Sequence, residues 1–527
     1  MSLASLPPEL IAELAKELSV GDLRALRLVS RSLMHVVNPI VFESVMVHAG
    51  THELDNVLDF FRSAAQGGLI SRFSRSIKLV SIYPPSSFGH QEQQDEQKVH
   101  VKEVPVGYEE VIKAIIQPAV MGWTNATSIH IQCRKDPLWI PKTLLDIALQ
   151  LPGLTEISYD HYSRLPIIWP STPRSALLTR LSLEVDWVPV NNSFMRELGQ
   201  FLSRFPLLES FSISTVWVPC KDDHIIMTPA PICDFSKLLA FLPTNQPPKL
   251  QELSFKYFTP ILRNQNIKCL RFLTTLHLLC VSGLFVGPQA LSPQSLTELD
   301  AFWGALSREG IHLRTVTTDC ITTSFLQYLS SYSGLQSLEL RDRPGFFLPT
   351  AGGIFVDTFI EQALPRHAKS LHHLMIDTDD QDLWNFSSSW AAVLPRCEAL
   401  HSLSLGMDYS PLFMERFCAL IKTLLHCALQ IQSLRRVSVK IVYNNDDYNP
   451  PPRDPAEWPN ANNPFTLGYH ANWAEEKFIQ TVEQFEVSSL GPRGPLELFL
   501  LVDYSESWVL TKTESDIWRF VMDSSEA

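Results

Sequence analysis

The strongest constraint on the fold of this 527-residue chain is a short frame that recurs along much of its length. The frame is an apolar residue, two variable residues, a second apolar residue, one polar residue and a third apolar one. Leu154-Thr-Glu-Ile157-Ser-Tyr159 is the first clear copy, and Leu178-Thr-Arg-Leu181-Ser-Leu183, Leu335-Gln-Ser-Leu338-Glu-Leu340 and Leu400-His-Ser-Leu403-Ser-Leu405 are regular ones. Further copies are led by Leu208, Leu250, Leu273, Leu296, Leu313, Leu371 and Leu434. The end of the frame alternates with period two, as a half-buried β-strand does. Leu338 and Leu340 are thereby sent to one side of a strand, and Ser337, Glu339 and Arg341 to the other. Between frames the apolar spacing often turns helical, as in residues 193–205 and 355–364.

From Leu154 to Leu434 the eleven leading leucines recur every 28 residues on average. Frame and spacing resemble the leucine-rich repeat, whose period is about 20 to 29 residues. The resemblance implies an α/β solenoid, with a parallel sheet on its concave side and helices on its convex side. No unit in such an array buries its apolar face without its neighbours. The asparagine that usually follows the frame is missing and the intervals are uneven, so irregular curvature is expected. The Leu296 and Leu313 copies, ending in Ala301 and Thr318, are the weakest. Ile77-Lys-Leu79, Ile129-His-Ile131 and Leu498-Phe-Leu500 read as less regular strands. The array is assigned to residues 73–510, with 511–527 as a C-terminal tail. Polar residues 84–103 and proline-rich residues 444–464 read as exposed insertions.

The N-terminus is different. Pro7 and Pro8 suit a helix start, where the missing amide hydrogens would be unpaired anyway, and Glu9 suits the positive end of the helix dipole. Leu10, Ile11, Leu14 and Leu18 continue at helical spacing. Residues 19–22 break that helix and cap the next, in which Leu23, Leu26, Val29, Leu33 and Val37 keep the period. Two or three short helices are too small to bury a core alone, so the module is expected to share apolar surface with a partner.

The order of parts resembles an F-box: the Leu6-Pro7 opening, the Leu18 to Leu23 turn with Asp22-Leu23, and the Leu28-Val29-Ser30-Arg31 block. Where that family often has tryptophan, Phe42 stands here. The resemblance implies an all-α module at residues 1–45, followed by a helical linker at 46–72. It also implies docking on a Skp adaptor, and through it on a cullin-RING ubiquitin ligase, with the repeats binding a protein substrate. Leu6, Pro7, Leu10, Ile11, Leu14, Leu18, Leu23, Leu26, Val29 and Leu33 are the candidates for the shared apolar surface. A Skp-binding scaffold that directs no degradation would have the same sequence signature.

Composition limits the alternatives. The net charge of −13 argues against general attraction to nucleic acid or an anionic membrane. The N-terminal residues lack a secretory pattern, and the apolar run from Leu276 to Val286 is too short to span a bilayer, which needs about 20 apolar residues. A cytoplasmic or nuclear location is the resulting expectation. Nine scattered cysteines without a Cys-x-x-Cys read as reduced thiols. No phosphate-binding loop, nucleophile elbow or His-Glu-x-x-His motif is present, so neither catalysis nor a cofactor is expected. His367, His372 and His373 near Asp377 are discounted as a metal set, because adjacent strand residues diverge.

Substrate is expected on the polar strand face, where Glu298, Asp300, Asp319, Glu339, Arg341 and Asp377 occupy variable positions. Five acids and one base there would favour a basic peptide. Arg435, Arg436 and Lys440 offer a basic alternative for a phosphorylated target.

Overall fold

The computed structural model describes residues 6–48, 54–81, 107–132, 139–161, 169, 177–186, 192–216, 232–243, 248–262, 267–280, 293–341, 352–377, 384–409, 414–443, 464–487, 496–500, 506–512 and 518–522. The expected insertions at 84–103 and 444–464 lie outside these residues, apart from Pro464, which begins a helix. The chain divides into two compact units, Met1–Lys221 with Cys233–Leu253, and Asp222–Ile232 with Ser254–Ala527. Both have α/β architecture.

The first unit opens with three helices, α1 (Pro8–Lys16), α2 (Val20–Val29) and α3 (Arg31–Val41). Pro8 occupies the first turn of α1, which is flanked by Glu9 and Lys16 at the ends that the helix dipole favours. Serine separates the other two. The Ser19 hydroxyl accepts the Asp22 amide at the start of α2, and Ser30 accepts the Leu33 amide at the start of α3, each at 3.2 Å. The expected continuous period across Val29 and Ser30 is therefore cut into two helices. Their common core is Ala15, Leu23 and Val37, with Leu26, Ile40 and Val41 against it.

Six strands follow in parallel, each paired with the next: β1 (Ser44–His48), β2 (Ser76–Ser81), β3 (Ser128–Gln132), β4 (Glu156–His161), β5 (Arg180–Asp186) and β6 (Ser210–Val216). β1 corrects the expected boundaries, because the sheet starts at residue 44 rather than 73 and the supposed linker contains its first strand. The expected helix of that linker is present at Leu54–Ala65, with Val57 and Phe61 buried.

A backbone device explains the shared register. The Arg75 carbonyl accepts both the Thr127 and Ser128 amides, the Thr127 carbonyl those of Thr155 and Glu156, and the Thr155 carbonyl those of Thr179 and Arg180. The two variable residues after each leading leucine are thus the donors that lock one unit to the last. Threonine hydroxyls reinforce the ladder at Thr155 and Thr179, each 3.1 Å from the preceding carbonyl.

The second unit repeats the arrangement with β7 (Thr275–Leu279), β8 (Thr315–Thr318), β9 (Ser337–Arg341), β10 (His373–Asp377), β11 (Ser402–Tyr409), β12 (Arg436–Tyr443) and β13 (Glu497–Leu500), again parallel and paired in order. In β9 and β10 the expected alternation holds, with Leu338, Leu340, Leu374 and Ile376 buried and their neighbours half-buried. The weak Leu313 copy forms β8, in which the buried Thr318 hydroxyl accepts the Cys320 amide at 3.2 Å. The Leu296 copy does not form a strand. Residues Pro293–Arg308 are an α-helix, because Leu299, Phe302, Trp303 and Leu306 give one continuous buried stripe. At the expected tail, β14 (Glu506–Lys512) and β15 (Trp518–Met522) add antiparallel strands beyond β13.

The aromatic core of the second unit runs from helix to helix. Trp303 lies 4.7 Å from Phe325 and 5.4 Å from Tyr328, while Tyr332 lies 5.0 Å from both Tyr328 and His367. His367 is neutral, burial having lowered its pKa to about 4 with a smaller push from Arg366. Its Nε2 is 3.0 Å from the Leu329 carbonyl, and its Nδ1 accepts the Leu335 amide at 3.3 Å. The imidazole therefore stitches a helix to the chain leading into β9.

Candidate docking surface on the N-terminal helices

The three N-terminal helices sort the apolar candidates into two groups. Ile11, Leu23 and Leu33 point inward and are buried, so they hold the helices together. Leu10, Leu14, Leu18 and Val29 are exposed, as are Val20 and Leu28, while Leu6 and Leu26 are half-buried and Pro7 is exposed. The exposure is large: Leu10 is 53 % exposed, Val29 70 % and Leu28 84 %.

Helix geometry puts these side chains in rows. Leu10 and Leu14 are four apart on α1, Leu18 follows just past its end, and Val20 and Leu28 share a row on α2. Of the fifteen large apolar side chains exposed among the described residues, six fall between positions 10 and 29. Such clustering departs from the scattered single exposures of an ordinary surface, which makes these helices the candidate docking surface. Val20 and Leu28 lay outside the sequence-based set. The signal for them was their separation of eight residues, two steps of four, on a helix whose inner face was already occupied by Leu23 and Leu26.

Phe42, in the place of the expected tryptophan, is half-buried and lies under the Arg27 guanidinium, 4.8 Å from the ring centre. It thereby closes α2 onto the end of α3. Lys16 and Glu13 pair at 2.7 Å on the polar side of α1, and this pair together with Glu17 raises the Lys16 pKa.

The six substrate candidates are not brought together. Glu298 and Asp300 lie on the helix Pro293–Arg308, not on a strand, and the Asp300 carboxylate accepts the Ser324 amide at 3.0 Å at the start of the next helix. Asp319 is buried, where its carboxylate accepts the Cys280 amide at 2.8 Å. Only Glu339, Arg341 and Asp377 hold the expected strand positions, and they are paired. Arg341 donates to Glu339 at 3.0 Å, His373 lies 3.7 Å from the same carboxylate, and Lys440 donates to Asp377 at 2.8 Å. The expected acidic patch is therefore absent from these positions. Lys440 is withdrawn from the basic alternative as well, although Arg435 and Arg436 are exposed. Arg436 also covers the Phe499 ring, 4.0 Å from its centre.

What the face of β7 to β10 offers instead is a hydrogen-bonded row. His277 Nδ1 is 3.0 Å from the Thr317 hydroxyl, which in turn donates to Glu339 at 3.4 Å. His372 precedes β10 and is exposed against His401, whereas His373 is half-buried; neither is a core residue. Among the described residues no group of three His, Cys, Asp or Glu side chains is placed to hold a metal, and no helix is long and apolar enough to cross a membrane. The described cysteines are free. Burial pushes the thiols of Cys233 and Cys397 up to about 12, far from the thiolate that nucleophilic chemistry needs. Trp303, Trp384 and Trp390 are core residues. Neither a family model nor a curated protein matches this chain.

Proposed function

We propose that the chain is an F-box substrate receptor, whose N-terminal helices dock on a Skp adaptor and whose leucine-rich repeats carry a protein substrate to a cullin-RING ubiquitin ligase. The observation that carries the reading is the row of exposed apolar residues on α1 and α2, in a module whose own core is small. Leu10, Leu14, Leu18, Val20, Leu28 and Val29 are the contact residues, and Ile11, Leu23 and Leu33 are the structural ones. Support for the second part is the parallel array of framed strands, in which β9 and β10 alternate buried apolar residues with half-buried ones. The receptor itself makes and breaks no bond. It supplies proximity, holding a captured protein where the ligase can act on it.

The test follows from the division between contact and structural residues. Replacing both Leu10 and Leu28 with Asp places charges on exposed positions, so the folded state and its melting temperature should stay near wild type. In an interface, each unpaired charge costs several kcal/mol, so co-purification with the adaptor should disappear. Retention of the adaptor at wild-type yield would overturn the reading. In a reconstituted ligase, ubiquitin transfer to a co-purified partner should be lost with the same double variant. A complex that forms but transfers no ubiquitin would identify a scaffold instead.

A further inference from the structure

The exposed row on α2 is interrupted by a charge. Val20, Arg24 and Leu28 succeed one another at intervals of four, which places them along one side of the helix about 6 Å apart. All three are exposed. The positions three and four residues from Arg24 are Val20, Gly21, Arg27 and Leu28, so its helix offers it no acid. Among the described residues Arg24 has neither a hydrogen-bond nor an ion-pair partner for its side chain. The nearest acid in sequence, Asp22, is occupied by the Ser19 hydroxyl at 2.6 Å. On α1 the situation is the reverse, because Lys16 is already neutralised by Glu13.

A partner that covers Val20 and Leu28 therefore also covers the guanidinium between them. Removing an unpaired charge from water costs several kcal/mol, which would offset much of the gain from burying two aliphatic side chains. We infer that the adaptor surface receiving α2 carries a carboxylate opposite Arg24, set within an otherwise apolar site. The guanidinium fork meets a carboxylate through two parallel hydrogen bonds, which lysine cannot reproduce. This inference rests on the docking reading above and adds the partner's charge to it. Arg24 would then fix the register of the helix on the adaptor, while the leucines supply most of the affinity.

The experiment measures binding of the full-length chain to a purified Skp adaptor at low and high salt. The proteins are wild type, Arg24→Ala, Arg24→Lys, Arg24→Glu and Leu28→Asp. Arg24→Ala should weaken binding by about tenfold and Arg24→Glu by about a hundredfold, with Arg24→Lys in between. Reversing the matching acid of the adaptor to lysine should restore the Arg24→Glu variant. Melting temperatures should not move, since the exposed Arg24 side chain has no hydrogen-bond or ion-pair partner among the described residues. If Arg24→Glu binds within about twofold of wild type while Leu28→Asp does not bind, the apolar docking stands and the charged contact is overturned. If the wild-type chain itself fails to bind, both readings fall.

Discussion

Leucines at regular intervals meet opposite fates in two regions of this molecule. In β9 the frame leucines Leu338 and Leu340 are each 1 % exposed, closed in by neighbouring units of the same chain. On α1 and α2, Leu10, Leu14 and Leu28 stand half or more in solvent, although Leu10 and Leu14 keep the interval of a helix. The repeats are long enough to supply every unit with a neighbour, whereas the short helices α1 and α2 pack chiefly on α3. Periodicity thus states that an apolar face exists. Whether the chain itself covers that face depends on what lies next to it.

The largest expected effect opposes these two populations directly. Leu338→Ala should cost about 2–5 kcal/mol of stability, because it removes a fully buried side chain and leaves a cavity. Leu14→Ala should change stability by no more than about 0.5 kcal/mol, because its side chain is half in solvent. Chemical denaturation of the two variants measures the contrast. A comparable loss for both would mean that α1 is covered within the chain, and the docking surface would disappear with it.

A second comparison is set by pH and acts only on the repeats. His367 has a folded pKa of about 4, lowered by burial, against an unperturbed value of 6.5. Below 6.5 the unfolded chain takes up a proton that the folded chain refuses. The His367 contribution is therefore fully present above pH 6.5 and is lost as pH falls from there towards 4, by roughly 3 kcal/mol in total. Urea midpoints at pH 7 and pH 5 should show this loss in the wild type, and His367→Gln should flatten the difference. An equally steep acid limb in that variant would place the titrating group elsewhere.

The smallest of the three effects probes the close approach of backbones in the first unit. A Cβ at Gly199 would lie 2.6 Å from the Leu238 carbonyl oxygen, so Gly199→Ala should cost about 1–3 kcal/mol through overpacking. Gly21, on the exposed part of α2, has only the Ser19 hydroxyl within reach, at 3.7 Å. Gly21→Ala should therefore be neutral or stabilising, since alanine suits a helix better. Thermal unfolding of the two variants ranks them, and the reverse order would contradict the packing described for both places.

The frame was enough to mark strands such as β4, β5, β9, β10 and β11, because a period of two with branched and leucine side chains suits a half-buried strand. Its failure at Leu296 shows the limit. An apolar pair three residues apart, Leu296 and Leu299, satisfies the first half of a strand frame and equally one turn of a helix. The continuation through Phe302, Trp303 and Leu306 decides for the helix. The N-terminal helices were legible from proline, serine and leucine positions, since caps and spacing are local properties. Which leucines face inward was not legible, because Leu10 and Ile11 differ by one position and only the packing of α1 on its neighbours separates them. The acidic candidates were decided wholly by tertiary structure. Asp319 is bound by the amide of Cys280 and Asp377 by Lys440, 39 and 63 residues away in sequence. Charge can be counted along a chain, but its pairing depends on which strands lie side by side.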